Sequence, residues 1–327
     1  MPEGSAAEDP AAEDLSDLVR RAAQALADAD VPSARTDAEL LAAHVLGLSR
    51  GELSVKLLTG LQVGAQEAAR FGDLVAERCR RTPLQHLTGA AAFRSLELKV
   101  GPGVFIPRPE TETVVGEVLQ RLAAISAADP RMVSPLVVDL GTGSGAIAAA
   151  VAAEFPVAEV HAVELSEEAA AWAEANFSAL PPGSAQVTLH RGDLRDAPEL
   201  LGALAGRFDV VVSNPPYIPP DMVPTEAEVR DHDPELALYG GGEGGLELPF
   251  AVVGAAERLL RPGGWFIMEH AEVQAARIAE HCRARPGLER IRTHQDLSGR
   301  DRATSGVLAR TDGGDGAEDG DVAQWRA

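Results

Sequence analysis

The chain has 327 residues, 45% of them hydrophobic, and a formal net charge of −21. That length fits two domains, or one large domain with additions. No apolar run approaches the roughly 18–20 residues of a membrane span. Met1-Pro2-Glu3-Gly4 has neither the basic nor the apolar character of a secretory signal. A cytoplasmic protein with no membrane partner is therefore expected.

Residues 1–14 carry five acids and no base, and residues 311–327 carry five acids and one base, Arg326. Both stretches are rich in Ala and Gly and poor in large apolar residues, which predicts disordered tails. Without them the body still carries about −12. Such a body repels a phosphate backbone, so bare nucleic acid is not expected as a direct partner. Cys79 and Cys282 form no metal-ligand spacing. Buried, reduced thiols and no metal site are the expectation.

From Leu15 to about Arg80, apolar residues recur at intervals of three and four. Examples are Leu15, Leu18, Val19, Ala22 and Leu26, then Leu40, Leu41, His44, Val45 and Leu48, then Ala68, Phe71, Leu74, Val75 and Arg78. This predicts a small all-helical domain over 15–82, with Asp37 as a helix cap. Residues 83–105 change character. Phe93 to Val100 alternate with period two before Gly101-Pro102-Gly103, which predicts a strand or hairpin linking two domains.

The second domain, 106–310, alternates strand and helix. Strands are predicted at 136–140, 159–164, 187–190, 208–213 and 265–269, with helices at 146–154, 166–180 and 248–260. Segments 288–294 and 305–309 read as two antiparallel edge strands. The fold class is α/β: a Rossmann-like, mostly parallel sheet with helices on both faces.

Val137-Val138-Asp139-Leu140 runs from a buried strand into Gly141-Thr142-Gly143-Ser144-Gly145, and a helix follows at once. The glycines let a ligand approach the backbone, and the helix N-terminus favours an electron-rich group. A dinucleotide fold wants Gly-x-Gly-x-x-Gly, but here the third glycine comes one residue early. No Gly-Lys-Ser/Thr of a phosphate loop is present. S-adenosylmethionine, which has no pyrophosphate, fits better. Glu164 ends the second strand, where a carboxylate accepts from both ribose hydroxyls. Asp193 and Leu194 follow the third, where Asp accepts from the adenine amino group and Leu contacts the ring.

Asn214-Pro215-Pro216-Tyr217 ends the strand at 208–213. The prolines stop the ladder and fix the Asn214 carboxamide and the Pro215 carbonyl in one frame. These two oxygens can accept both hydrogens of a planar NH2 group. The conjugated nitrogen is then pyramidalised and aimed at a sulfonium methyl, so catalysis is mainly positioning and electrostatics. Asn214, Pro215 and Tyr217 are the predicted catalytic residues, with Asn214 also touching the cofactor. Pro216 completes the substrate frame, Tyr217 walls the planar group, and Ile218 adds apolar contact.

These stretches resemble the bacterial peptide chain release factor glutamine N5-methyltransferases. The resemblance also covers Pro83-Leu84-Gln85-His86-Leu87-Thr88-Gly89 and Ile106-Pro107-Arg108-Pro109-Glu110-Thr111-Glu112. It extends to Ala237-Leu238-Tyr239-Gly240-Gly241, to Arg261-Pro262-Gly263-Gly264 with Glu269, and to Asp296-Leu297-Ser298-Gly299-Arg300-Asp301-Arg302. It implies a class I methyltransferase fold, with S-adenosylmethionine held by Gly141, Thr142, Gly143, Ser144, Gly145, Glu164, Asp193 and Leu194. It implies that Asn214 to Tyr217 bind the glutamine of the Gly-Gly-Gln loop of class 1 release factors. It also implies that the helical domain recognises the factor's body. A monomer is expected. Many relatives have Asp where Glu164 stands, and often an aromatic residue where Leu194 stands. A ribosomal-protein glutamine methyltransferase, a nucleic-acid amino-methyltransferase and a non-catalytic adaptor remain alternatives. Phe105 and Arg108 have a mixed expected role, between the cofactor pocket and the domain junction. Glu110 and Glu112 are read as first-turn charges, and His270 as a strand-end residue.

Overall fold

The computed structural model describes residues 12–128 and 134–310. Most of the expected acidic tails, 1–11 and 311–327, lies outside the described residues. The end of the expected N-terminal tail does not behave as one. Strand β1 (Glu13–Asp14) opens the helical unit, and Asp14 caps α1 (Leu15–Asp28) by accepting from the Ser16 amide at 2.9 Å.

Helices α2 (Ala34–Leu46) and α3 (Arg50–Thr59), strand β2 (Gln62–Val63) and helix α4 (Ala65–Cys79) complete a bundle, with β1 antiparallel to β2. Leu15, Leu18, Val19, Ala22 and Leu26 are all buried, as their helical spacing requires. Helix α5 (Leu84–Thr88) packs Leu84 and Leu87 on the same core. The helical unit therefore runs past the expected limit at 82. Asp37 does not cap: it lies in the first turn of α2, buried, with its carboxylate 2.8 Å from Arg78 Nε. His44 is exposed and Cys79 only half-buried, whereas Cys282 is fully buried.

The expected linker narrows to the hairpin β3 (Ala90–Phe93) and β4 (Leu96–Lys99). Arg94 in its turn has φ +53° and pairs bidentately with Glu154 at 2.6 and 2.7 Å. This ties the hairpin to the sheet domain.

That domain runs α6 (Thr111–Ala128), β5 (Leu136–Leu140), α7 (Ala146–Glu154), β6 (Glu159–Glu164), α8 (Glu167–Phe177), β7 (Val187–Arg191) and α9 (Ala197–Leu201). It continues with β8 (Phe208–Ser213), α10 (Ala227–His232), α11 (Glu235–Leu238), α12 (Glu247–Leu259), β9 (Leu260–Glu269), α13 (Ala275–Arg283), β10 (Leu288–Gln295) and β11 (Asp301–Leu308). The seven-stranded sheet has the order β10-β11-β9-β8-β5-β6-β7. Strands β5 to β9 are parallel, and β11 is antiparallel to both of its neighbours. Strand β8 feeds two cores: Val210 and Val212 lie in one, Val211 in the other, and Phe208, before the register shift at 208–210, joins Val211.

Two strands start earlier than expected. Strand β9 begins at Leu260, because Arg261-Pro262-Gly263-Gly264 is a bulge within it: pairing jumps from Phe208↔Leu260 to Val210↔Trp265. Strand β11 begins at Asp301, because pairing to β10 and β9 overrides the weak strand preference of Asp301 and Ala303.

From β5 the chain winds outward through β6 and β7, then returns to β8 on the other side of β5. This reversal places a crevice at the carboxyl ends of β5 and β8. The register pairs Leu140 with Ser213. Gly141 and Asn214 therefore leave the sheet side by side.

Candidate active site

A cavity of about 900 Å³ opens at that crevice. It is lined by Gly141, Thr142, Gly143, Ser144, Glu164, Asp193, Leu194 and all of Asn214 to Tyr217. Gly145 is absent from the lining. It caps α7 with φ +84°, and a Cβ there would meet Phe177 Cε1 at 2.6 Å. Its part is to let the turn close against α8.

The glycine turn is held from several sides. The Gly141 and Thr142 amides donate to the Val163 carbonyl at 2.9 and 3.0 Å. Asn176, missed in the sequence, donates to the Ser144 carbonyl at 2.8 Å and to the Lys99 carbonyl at 3.0 Å. It thereby joins the turn to the hairpin. The Thr142 hydroxyl donates to Asp139 Oδ2 at 2.5 Å, while Asp139 Oδ1 is buried without a partner. Burial pushes the Asp139 carboxyl up to about 7.

Glu164 lines the cavity, but each oxygen already accepts a backbone amide, Oε2 from Gly143 and Oε1 from Ser166, both at 2.8 Å. Burial raises its pKa against those bonds. A carboxylate has further lone pairs, so ribose hydroxyls remain compatible with this arrangement. Asp193 is more engaged: Arg195 Nε and Nη2 approach it at 2.6–3.0 Å and hold its carboxyl below the usual range. An adenine amino group would share that carboxylate with Arg195.

Across the cavity, the Asn214–Ile218 stretch is zipped to residues 238–240. The Ile218 amide donates to the Leu238 carbonyl at 2.8 Å, and the Gly240 amide to the Ile218 carbonyl at 3.0 Å. Gln274, also missed in the sequence, donates to the Tyr217 carbonyl at 2.7 Å and the Gly244 carbonyl at 2.8 Å. The frame that the prolines begin is thus completed by distant chain.

Behind Asn214 lies a chain of side chains that the sequence did not connect. Asn214 Nδ2 donates to Thr111 Oγ1 at 3.1 Å, and Thr111 Oγ1 donates to Glu269 Oε2 at 2.7 Å. Tyr217 Oη donates to Glu269 Oε1 at 3.3 Å. Glu269 is 2% exposed, and burial pushes it up to about 7 despite the Thr111 bond and nearby Arg302. Burial and the Glu269 charge also raise the Tyr217 phenol. The available signal was an acid ending a buried strand. Ser213 pairs with Met268, so Glu269 must stand next to Asn214.

Phe105 and Arg108 both line the cavity, with the guanidinium 4.9 Å from the ring centroid. Arg108 also binds Asp233 at 2.8 Å, fixing the chain beyond the frame. Glu110 lines the cavity, while Glu112 accepts from the Arg94 amide at 3.0 Å. His270 is fully buried between Thr304 and its neighbour's carbonyl, away from the cavity lining.

The cavity's size suits a nucleoside-sized ligand together with an incoming side chain. The glycine cradle and apolar Ile147, Val163 and Leu194 on its wall fit S-adenosylmethionine. Residues 17–89 match the PrmC N-terminal domain, and residues 137–232 match a methyltransferase domain. A methyltransferase structure from Pyrococcus furiosus is 20% identical with a TM-score of 0.45, covering 67% of this chain and 92% of that one. The release factor glutamine methyltransferase of Streptomyces coelicolor is 48% identical over 285 residues, 87% of this chain and 94% of the relative. That of Mycobacterium tuberculosis H37Rv is 40% identical over 292 residues, 88% of this chain and 90% of the relative. With both domains matched and near-complete coverage at such identity, the chain belongs to the release factor glutamine methyltransferases, enzymes that take their methyl group from S-adenosylmethionine.

Proposed function

We propose that this enzyme methylates the side-chain amide nitrogen of the glutamine in the Gly-Gly-Gln loop of class 1 release factors, and so modulates translation termination. The observation that carries this is that Gly141 and Asn214 directly follow the paired strand-end residues Leu140 and Ser213 and line one cavity. S-adenosylmethionine supplies an electrophilic methyl on a sulfonium. Gly141 to Ser144, Glu164, Asp193 and Leu194 hold it, with Gly145 shaping the turn. Asn214 Oδ1 and the Pro215 carbonyl each accept one hydrogen of the glutamine NH2, drawing its lone pair out of conjugation. Pro216 keeps these acceptors rigid, and Tyr217 walls the amide plane. The cavity mouth carries exposed Met222, Val223 and Leu236, which suit a small uncharged loop rather than a phosphate backbone. Among the described residues no helix is long and apolar enough to cross a membrane. The proposed setting is the cytoplasm, with the enzyme acting as a monomer and the helical unit contacting the body of the factor.

The test is methyl transfer from labelled S-adenosylmethionine to purified release factor, ribosomal protein and DNA in separate reactions. Label in the release factor glutamine is expected. Label confined to ribosomal protein or to DNA overturns the proposal. Asn214→Ala should lower turnover by about 100-fold or more while cofactor binding survives. Parallel loss of binding would assign Asn214 to the cofactor or the fold instead.

A further inference from the structure

We infer that Thr111 and Glu269 are positioning residues for methyl transfer, fixing which half of the Asn214 carboxamide is offered to the substrate. The inference rests on the proposed role of Asn214. A carboxamide is nearly symmetric in shape but opposite in hydrogen bonding at its two ends. Turned over, Asn214 would present a donor to an NH2 group that needs an acceptor. Both prolines leave that rotation about the terminal torsion free, since they restrain only backbone. The choice must come from a neighbour.

Thr111 supplies it. Its hydroxyl has one proton, and Glu269 Oε2 at 2.7 Å takes it, because an ionised carboxylate only accepts. Toward Asn214 the hydroxyl is left with lone pairs, and Asn214 Nδ2 donates into them at 3.1 Å. The NH2 end is thus committed, and among the described residues no hydrogen bond takes up Oδ1. Tyr217 occupies the second oxygen of Glu269, so the same carboxylate orients both the acceptor and the wall of the substrate site. Thr111 begins α6 and Glu269 ends β9, both buried, so the polarity is set by elements outside the Asn214–Tyr217 loop. A reversed donor order along this chain would turn the carboxamide over.

Thr111→Val removes the hydroxyl at nearly constant shape, and Thr111→Ser keeps it. The readouts are kcat and KM for release factor and the binding of S-adenosylmethionine by calorimetry. Thr111→Val should lower kcat about tenfold, the size of one lost hydrogen bond, with cofactor affinity within about twofold of wild type, since the hydroxyl bonds Asn214 and Glu269 rather than the glycine turn. Thr111→Ser should recover most of kcat. Wild-type kcat in Thr111→Val overturns the inference, as does a Thr111→Ser enzyme equally impaired, which would make the methyl group the important part. Should Thr111→Val fail to fold, Glu269→Gln decides. Its amide can offer either end to Thr111, so kcat should fall severalfold, and an unchanged kcat overturns the inference. If Asn214→Ala is itself active, the proposed role of Asn214 fails first. If Asn214→Ala is inactive while the Thr111 and Glu269 variants are normal, only the positioning inference fails.

Discussion

Arg78 Nη1 lies 2.8 Å from Glu228 Oε1, tying the helical unit to the short helix α10 beside the cavity. Arg78 also reaches Asp37 at 2.8 Å, and Arg81 clamps both Glu228 oxygens at 2.8 and 2.6 Å. Burial alone would raise the Glu228 carboxyl, but the Arg81 hydrogen bonds, a backbone amide and Arg78 overcome it and hold it at about 2. Glu226 and Val229, on either side, line the cavity. The helical unit is therefore a brace for one wall of the site.

Glu228→Gln should destabilise the protein by about 1–3 kcal/mol, less than a fully buried pair because Arg81 and Glu228 are partly exposed. The folded-state pKa is depressed from 4.5 to about 2. The stabilisation is thus present above pH 4.5 and lost as pH falls from 4.5 to about 2. Urea titrations of both proteins across that range should show the difference shrinking toward pH 2. A constant difference would mean that Glu228 acts through shape alone.

Gly240→Ala should disable catalysis without touching the cofactor site. A Cβ there would lie 2.1 Å from the Gly245 carbonyl, 2.8 Å from the Pro216 carbonyl and 2.8 Å from Tyr217 Cα. All three are backbone atoms, so the Asn214–Tyr217 frame must shift. A displacement of roughly 1 Å is expected to cost about 100-fold in kcat, with S-adenosylmethionine binding preserved in calorimetry. Normal kcat would show that the frame tolerates movement.

The pH profile of kcat should rise through about 7, where Glu269 ionises and becomes a pure acceptor for Thr111. Thr111, Tyr217, Arg302 and Glu110 are the groups that act on it. Burial pushes Asp139, on β5 beneath the glycine turn, into the same range. The limb is therefore assigned by comparing wild type with Glu269→Gln at saturating cofactor, the variant being flat there. Stability runs the other way. A carboxyl raised from 4.5 to about 7 binds its proton more tightly when folded, so stability falls as pH rises across that window. Melting temperatures at pH 5 and pH 8 should show wild type losing more than Glu269→Gln.

Val223→Asp should raise KM for release factor about tenfold while leaving kcat at saturation intact. Val223 is 65% exposed beside Met222 at the cavity mouth, so a charge there costs the fold little but opposes an apolar contact. An unchanged KM would place the factor's approach elsewhere on the rim.

Much of this was legible in the residues. The run Val137 to Gly145 identified a buried strand, a tight turn and a helix, because apolar patterning and positive-φ glycines are local properties. Asn214-Pro215-Pro216-Tyr217 declared a ladder stop for the same reason. Errors came where a local preference lost to pairing or burial. Asp37 has the chemistry of a cap, yet Arg78 from a distant helix claims it. Ala303 and Thr304 fall before the strand expected at 305–309, yet two neighbouring strands recruit them.

By itself the sequence determined the parallel strands, the glycine turn after Leu140 and the ladder stop at Asn214, since each is encoded within a few consecutive residues. Only the tertiary structure decided that Leu140 and Ser213 stand in register, that Thr111 and Glu269 meet behind Asn214, and that Arg78 reaches Glu228. Those contacts join residues 73 to 158 positions apart, and a hydrogen bond's partner at such separation is chosen by how the sheet winds, not by the residues beside it.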